Sequence, residues 1–103
     1  MIKIKLFCAA AMSTGILAQK MQKAGLERGL DITVEAFPES TLDAQTDDCT
    51  VALLGPQVGH MLTASKAICE PKGVPVDVIS FMDYGLMNGE KVLDFALSLR
   101  SDT

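Results

Sequence analysis

Tryptophan is absent, tyrosine occurs once and phenylalanine four times in 103 residues. Aromatic side chains are too sparse to build the stacking platforms that hold single-stranded nucleic acid. Basic residues are equally thin. The net charge is −4, and Lys3, Lys5, Lys20 and Lys23 are scattered rather than clustered, which excludes the concentrated positive face that nucleic acid requires. Cysteine occurs three times, as Cys8, Cys49 and Cys69, with wide spacings and no CxxC, beside a single histidine. An odd, dispersed set of this kind argues against a disulfide framework and against zinc, so cysteine chemistry here would fall to one thiol. No apolar run approaches the ~20 residues of a membrane span. Only Leu6 and Phe7 separate Lys5 from Cys8, far short of the roughly 7–15 apolar residues of a secretory h-region. A cytoplasmic protein with no direct membrane insertion is expected.

What is present is an ordinary globular balance, 49% apolar and 21% charged, in a length that suits one domain spanning residues 1–103. Ile2–Phe7 alternates and reads as a strand. From Ser13 or Thr14 to about Arg28 the period turns helical, with Leu17, Met21 and Ala24 on one face, Ile16 beside them, and Gly29 as a stop. Asp31–Phe37 is a second strand ended by Pro38. A polar stretch from Glu39 to Asp48 leaves room for a short helix around Leu42. Thr50–Leu54 is a continuous apolar run, as a central parallel strand covered on both faces would be. After Gly55-Pro56 a helix is expected from about Val58 to Cys69, then a strand at Val74–Ile79. A loop through Tyr84-Gly85 leads to a last helix capped by Asn88, with Val92, Leu93, Ala96 and Leu99 inward. The order predicts an α/β fold: a single four-stranded parallel sheet, order 2-1-3-4, with helices on both faces. Sites in such sheets lie beyond the carboxyl ends of the strands, and Cys8 stands there, directly after strand one.

The residues that follow are small: Ala9, Ala10, Ala11, Met12, then Ser13 and Thr14. Small side chains let backbone N–H groups turn around an anion, and the helix N-terminus adds unpaired donors and partial positive charge. The same field favours a thiolate, and a thiolate facing an anion cradle is suited to attack a phosphoryl group. The alternative is that Cys8 is a small buried apolar residue at a strand end; its position in the fold decides for chemistry. Cys49 precedes a buried strand and Cys69 sits near a helix C-terminus, so both read as structural.

Low-molecular-weight tyrosine phosphatases place a cysteine after strand one of a similar fold, in a C-x5-R-S/T loop whose arginine clamps the phosphate. Here the sixth residue after Cys8 is Thr14, and the loop has no arginine. Without the clamp a phosphocysteine should persist, as a carrier requires and a phosphatase avoids.

Leu6-Phe7-Cys8-Ala9-Ala10-Ala11-Met12-Ser13-Thr14 resembles the phosphocysteine loop of enzyme IIB of the lactose/cellobiose/chitobiose type, from the bacterial phosphoenolpyruvate-dependent sugar phosphotransferase system. Glu35-Ala36-Phe37-Pro38-Glu39, Leu53-Leu54-Gly55-Pro56-Gln57 and Asp83-Tyr84-Gly85 agree in order and spacing, so the resemblance runs over essentially the whole chain. It implies that Cys8 takes a phosphoryl group from a phosphohistidine of a IIA protein and gives it to a sugar bound by the membrane permease IIC. A β-disaccharide such as cellobiose, chitobiose or lactose is the implied sugar class. The resemblance further implies a monomer, with no metal and no organic cofactor. Residues 9 to 14 would bind the phosphate, through the amides of Ala10 to Thr14 and the hydroxyls of Ser13 and Thr14. Gln57, His60, Asp83 and Tyr84 would stand at the rim or meet partners, while Ala9, Ala10, Met12 and Met61 would make an apolar docking rim.

Two departures stand out. Ala9-Ala10-Ala11 replaces a Ser-Ala-Gly common in cellobiose members, which removes one hydroxyl donor and places alanine where glycine takes positive φ more cheaply. Gly59-His60 stands where an aromatic is usual, and a lone histidine is most often structural. Two rivals accompany the carrier: a phosphatase-like hydrolase, and a IIB-like regulatory interaction module that carries no phosphate.

Overall fold

A computed structural model describes residues 1–9 and 11–100; the side chains of residues 11, 12 and 13 lie outside the description. Four strands run β1 (Ile2–Cys8), β2 (Ile32–Pro38), β3 (Val51–Leu54) and β4 (Val76–Val78), and five helices run α1 (Ala11–Glu27), α2 (Leu42–Gln45), α3 (Leu62–Cys69), α4 (Phe81–Gly85) and α5 (Gly89–Arg100). All pairings are parallel and the sheet order is β2-β1-β3-β4, as the alternation of strand and helix predicts.

The strands divide the core by their period of two. Ile4 and Leu6 of β1 join Val51 and Leu53 of β3 under α1 and α5, packed with Leu17, Met21, Val92 and Leu93. Phe7, Ala52 and Leu54 face the other way, against Leu42, Val58, Cys69 and Val74. Each of the four β3 residues has no exposed surface, which is why its sequence is an unbroken apolar run. Lys5 lies on the second face and is nearly buried. Its Nζ donates to the Gln45 carbonyl at 2.9 Å and stands 5.5 Å from the centre of the Phe37 ring, tying the 39–48 segment to the sheet. Lys72 fastens the same segment from the end of α3 through Asp43 and Asp47, at 3.0 and 2.7 Å.

β2 is an edge strand, and its outward backbone groups are partly covered by α1. The Gln22 side chain accepts from the Val34 N–H and donates to the Ile32 carbonyl, both at 2.7 Å, standing in for a neighbouring strand.

Several elements differ from expectation. α1 starts at Ala11 rather than at Ser13 or Thr14. Alanine is the best helix former, and the one non-glycine residue with positive φ among those described is Met87, so Ala11 occupies a position where glycine's freedom is not needed. Ile16 is 51% exposed, because α1 buries only the narrower stripe of Leu17, Met21 and Ala24. The expected 58–69 helix is a 3-10 segment, Pro56–Met61, followed by α3; Val58 has non-helical angles (φ −114°, ψ 22°) and Gly59 is a poor helix former. β4 is shortened to three residues, since Pro75 has no N–H for the ladder. The segment through Tyr84-Gly85 is the short helix α4, started by Ser80, whose Oγ accepts from the Asp83 N–H at 3.1 Å. The last helix agrees: the Asn88 side chain accepts from the Lys91 N–H at 3.1 Å.

Candidate functional site

The carboxyl ends of the strands bring four chain positions together. Cys8 pairs in register with Pro38, Gly55 N–H donates to the Phe7 carbonyl at 2.8 Å, and Ile79 N–H donates to the Leu54 carbonyl at 2.9 Å. Cys8 closes β1 and is 2% exposed. Ala9 is exposed and precedes α1. The first four N–H groups of an α-helix have no partner within it, so the amides of residues 11 to 14 form the donor-rich end of α1 beside the thiol. The expectations for Ala10, and for the side chains of Ala11, Met12 and Ser13, fall outside the described residues.

Gly55 is required by close approach. A Cβ there would stand 3.3 Å from the Cys8 Cβ and 3.0 Å from the Gln57 Oε1, so Cys8, Gly55 and the Gln57 carboxamide share one small space. His60 is exposed on the 3-10 segment Pro56–Met61, and Met61 behind it is half-buried. Asp83 is half-buried, and its carbonyl accepts from the Asn88 N–H at 3.0 Å; its backbone shapes the turn between α4 and α5.

Two residues hold positions that local sequence does not predict. Thr14 has no exposed surface and Tyr84 is 8% exposed. Their hydroxyls lie 3.0 Å apart, joining α4 to the first turns of α1 across 70 positions of sequence. Tyr84 is thus core rather than rim. Beside it, Phe81 and Met82 of α4 and Leu86 at its end are 76%, 71% and 69% exposed, an apolar strip just after β4 where the sequence predicts a loop through Tyr84-Gly85.

Lysine and arginine are missing from the sequence segments that carry the ends of β2, β3 and β4. None lies between residues 29 and 65 or between 73 and 90. Several cations elsewhere are held by carboxylates, as Arg28 is by Asp94 at 2.6 Å.

The other two thiols are held neutral. Burial pushes the Cys49 thiol up to about 11 and raises that of Cys69. Iodoacetamide at pH 8 should therefore leave Cys49 and Cys69 unmodified in the folded protein and alkylate both in denaturant, as peptide mass mapping would report. The folded pKa of Cys49 exceeds its ordinary value, so its neutral thiol favours the folded state fully below about pH 9. That contribution is lost as pH rises through about 11. Urea melts of Cys49→Ala against wild type should show the smaller alkaline loss in the variant.

A four-stranded parallel sheet of order 2-1-3-4 with flanking helices makes this one of the small parallel α/β domains, a class whose sites lie beyond the carboxyl ends of the strands. The model of a family described as "PTS system, Lactose/Cellobiose specific IIB subunit" matches residues 3–95. The chain is 46% identical to the galactose-specific EIIB component of Lactococcus lactis subsp. cremoris (strain MG1363), over 93% of this chain and 94% of that protein. It is 45% identical to the cellobiose-specific EIIB component of Lactococcus lactis subsp. lactis (strain IL1403), with the same coverage. Among solved structures, the cellobiose-specific IIB component of Borrelia burgdorferi superposes with TM-score 0.80 at 38% identity, covering 98% of this chain and 93% of that one. The lactose-specific IIB domain of Streptococcus pneumoniae, at TM-score 0.86 and 18% identity over 95% and 96% of the two chains, shares the fold. The chain belongs to the lactose/cellobiose-specific IIB family of the phosphoenolpyruvate-dependent carbohydrate phosphotransferase system.

Proposed function

We propose that Cys8 is the phosphoryl carrier of this IIB subunit. The observation that carries the proposal is the position of Cys8 at the carboxyl end of β1, shortly before the N-terminus of α1, the end of a helix that attracts anions. In the first half-reaction the Cys8 sulfur attacks phosphorus and the N–P bond of the phosphohistidine on a IIA partner breaks. The imidazole nitrogen keeps the electron pair and takes up the proton given up by the thiol. In the second, a hydroxyl of a sugar bound in the IIC permease attacks phosphorus, the S–P bond breaks with its electron pair on sulfur, and the hydroxyl proton returns the sulfur to the thiol. The phosphoryl dianion rests against the amides of residues 10 to 14.

The lack of a lysine or arginine in the segments that carry the ends of β2, β3 and β4 favours a carrier over a hydrolase, because these segments supply no fixed cation to stabilise the charge that develops as water attacks. The burial of Cys8 acts in the same direction by keeping water from the phosphocysteine. Cations that speed transfer would then arrive with the partner, so that the group leaves only when a partner is docked. The family implies IIA and IIC as partners, and the exposed Ala9 stands next to Cys8 in the chain. We place the subunit on the cytoplasmic side of the membrane as a monomer; among the described residues no helix is long and apolar enough to cross a bilayer. Relatives named for galactose and cellobiose support a β-linked disaccharide or related sugar as the final acceptor.

Intact mass after incubation with phosphoenolpyruvate, enzyme I, the histidine phosphocarrier and a phosphorylation-competent IIA tests this. The expected result is a gain of one phosphoryl group, removed by iodine, which cleaves a phosphocysteine and leaves other phosphoamino acids. No gain from an active IIA would remove the carrier in favour of an interaction module.

A further inference from the structure

The Thr14–Tyr84 pair has a cost that its packing does not explain. Both hydroxyls are buried, at 0% and 8% exposure, and a valine–phenylalanine pair of the same shape would fill the space with no polar groups to desolvate. The pair stands where that matters. Thr14 is six residues after Cys8, in the second turn of α1, and Tyr84 comes from α4, whose own start is fixed by the Ser80 cap and whose end is fixed by the Asn88–Asp83 backbone bond. The Thr14 hydroxyl meets the phenol at 3.0 Å, so α1 is anchored near its start by a group from a different element.

We propose that Tyr84 is a positioning residue for phosphoryl transfer: by holding the Thr14 hydroxyl, its phenol sets the direction of the first turns of α1 and of the amides they present to Cys8. This rests on Cys8 being the phosphoryl carrier. Each hydroxyl can donate or accept. When Tyr84 donates, the Thr14 proton is left for a further acceptor on its own side, so the pair serves the empty and the phosphorylated site alike. The phenol touches no partner, because it is buried. Its loss should therefore be felt in the rate of transfer rather than in docking.

The test compares Tyr84→Phe, Thr14→Val, the double variant and Thr14→Ser with wild type, below the melting midpoint of each. The rate of phosphocysteine formation is followed as a function of phosphorylated IIA concentration. Tyr84→Phe and Thr14→Val should each lower kcat about tenfold or more with KM within about twofold. The double variant should be no slower than the slower single variant, since both remove one contact. Thr14→Ser, which keeps the hydroxyl, should stay within a few-fold of wild type. Unchanged kcat with a lowered melting temperature would reduce the pair to a structural contact and overturn the proposal. A rise in KM at constant kcat would also overturn it, by making Tyr84 part of the docking surface. A wild-type protein that gains no phosphoryl group from an active IIA would remove the carrier itself, an outcome distinct from any difference among the variants.

Discussion

Cys8→Ser should abolish phosphoryl transfer, lowering it at least ~1,000-fold while leaving the fold intact. Oxygen for sulfur is nearly isosteric, and the site at the end of β1 already excludes solvent, so the melting midpoint should shift by no more than a few degrees. The chemical change is large. Sulfur is larger and more polarisable than oxygen, and a hydroxyl is a weak nucleophile unless a base activates it. A serine nucleophile needs an adjacent base, and the one histidine of the chain, His60, is exposed on the 3-10 segment Pro56–Met61. Intact mass of Cys8→Ser under the phosphorylating conditions should show the unmodified protein alone. Should a phosphoryl group still appear, its removal by His60→Ala in the same background would move the carrier to the imidazole. The parallel single variant His60→Ala should keep the full mass gain.

Gly89→Ala is the substitution expected to damage the fold most for the smallest change. Gly89 opens α5 where that helix crosses α1, and a Cβ at this position would lie 2.7 Å from the Lys20 Cβ, 2.8 Å from the Lys20 carbonyl carbon and 2.9 Å from the Met21 nitrogen. Two of these three atoms are helix backbone, which cannot rotate away as a side-chain tip can. The two helices must move apart, and with them Met21 and Leu93, both without exposed surface. Overpacking of this kind costs about 2–4 kcal/mol, which for a domain of this length lowers the melting temperature by roughly 10–20 °C. Gly15→Ala is the control. A Cβ there meets nothing within 4 Å, and alanine in the body of α1 should raise stability by about 0.5–1 kcal/mol. Thermal melts of the two variants beside wild type check both signs.

The alternation in β1, the unbroken apolar run of β3, the stripe of Leu17, Met21 and Ala24 and the Asn88 cap are local patterns, and the sheet order follows from them once parallel connections are taken as right-handed. The position of Cys8 is legible for the same reason: strand ends are set by local sequence, and sites in this architecture follow strand ends. The family motif at residues 83 to 85 also points to Tyr84 without saying what it does. Its place opposite Thr14 is a contact between residues 70 positions apart, and no local pattern carries it. The same holds for the approach of Gly89 to α1 and of Gly55 to Cys8, which depend on how two packed elements meet rather than on either alone. Helix starts moved as well, because alanine at position 11 continues a helix as readily as it begins a loop. The sequence by itself therefore determined the fold, the family and the place of Cys8 at the end of β1, since hydrophobic period and strand order are properties of neighbours in the chain. Only the tertiary structure decided that Tyr84 is buried rather than at the rim and that Gln57 reaches back to Gly55. It alone, too, lays Phe81, Met82 and Leu86 open to solvent just after β4, because packing chooses among the faces that periodicity merely offers.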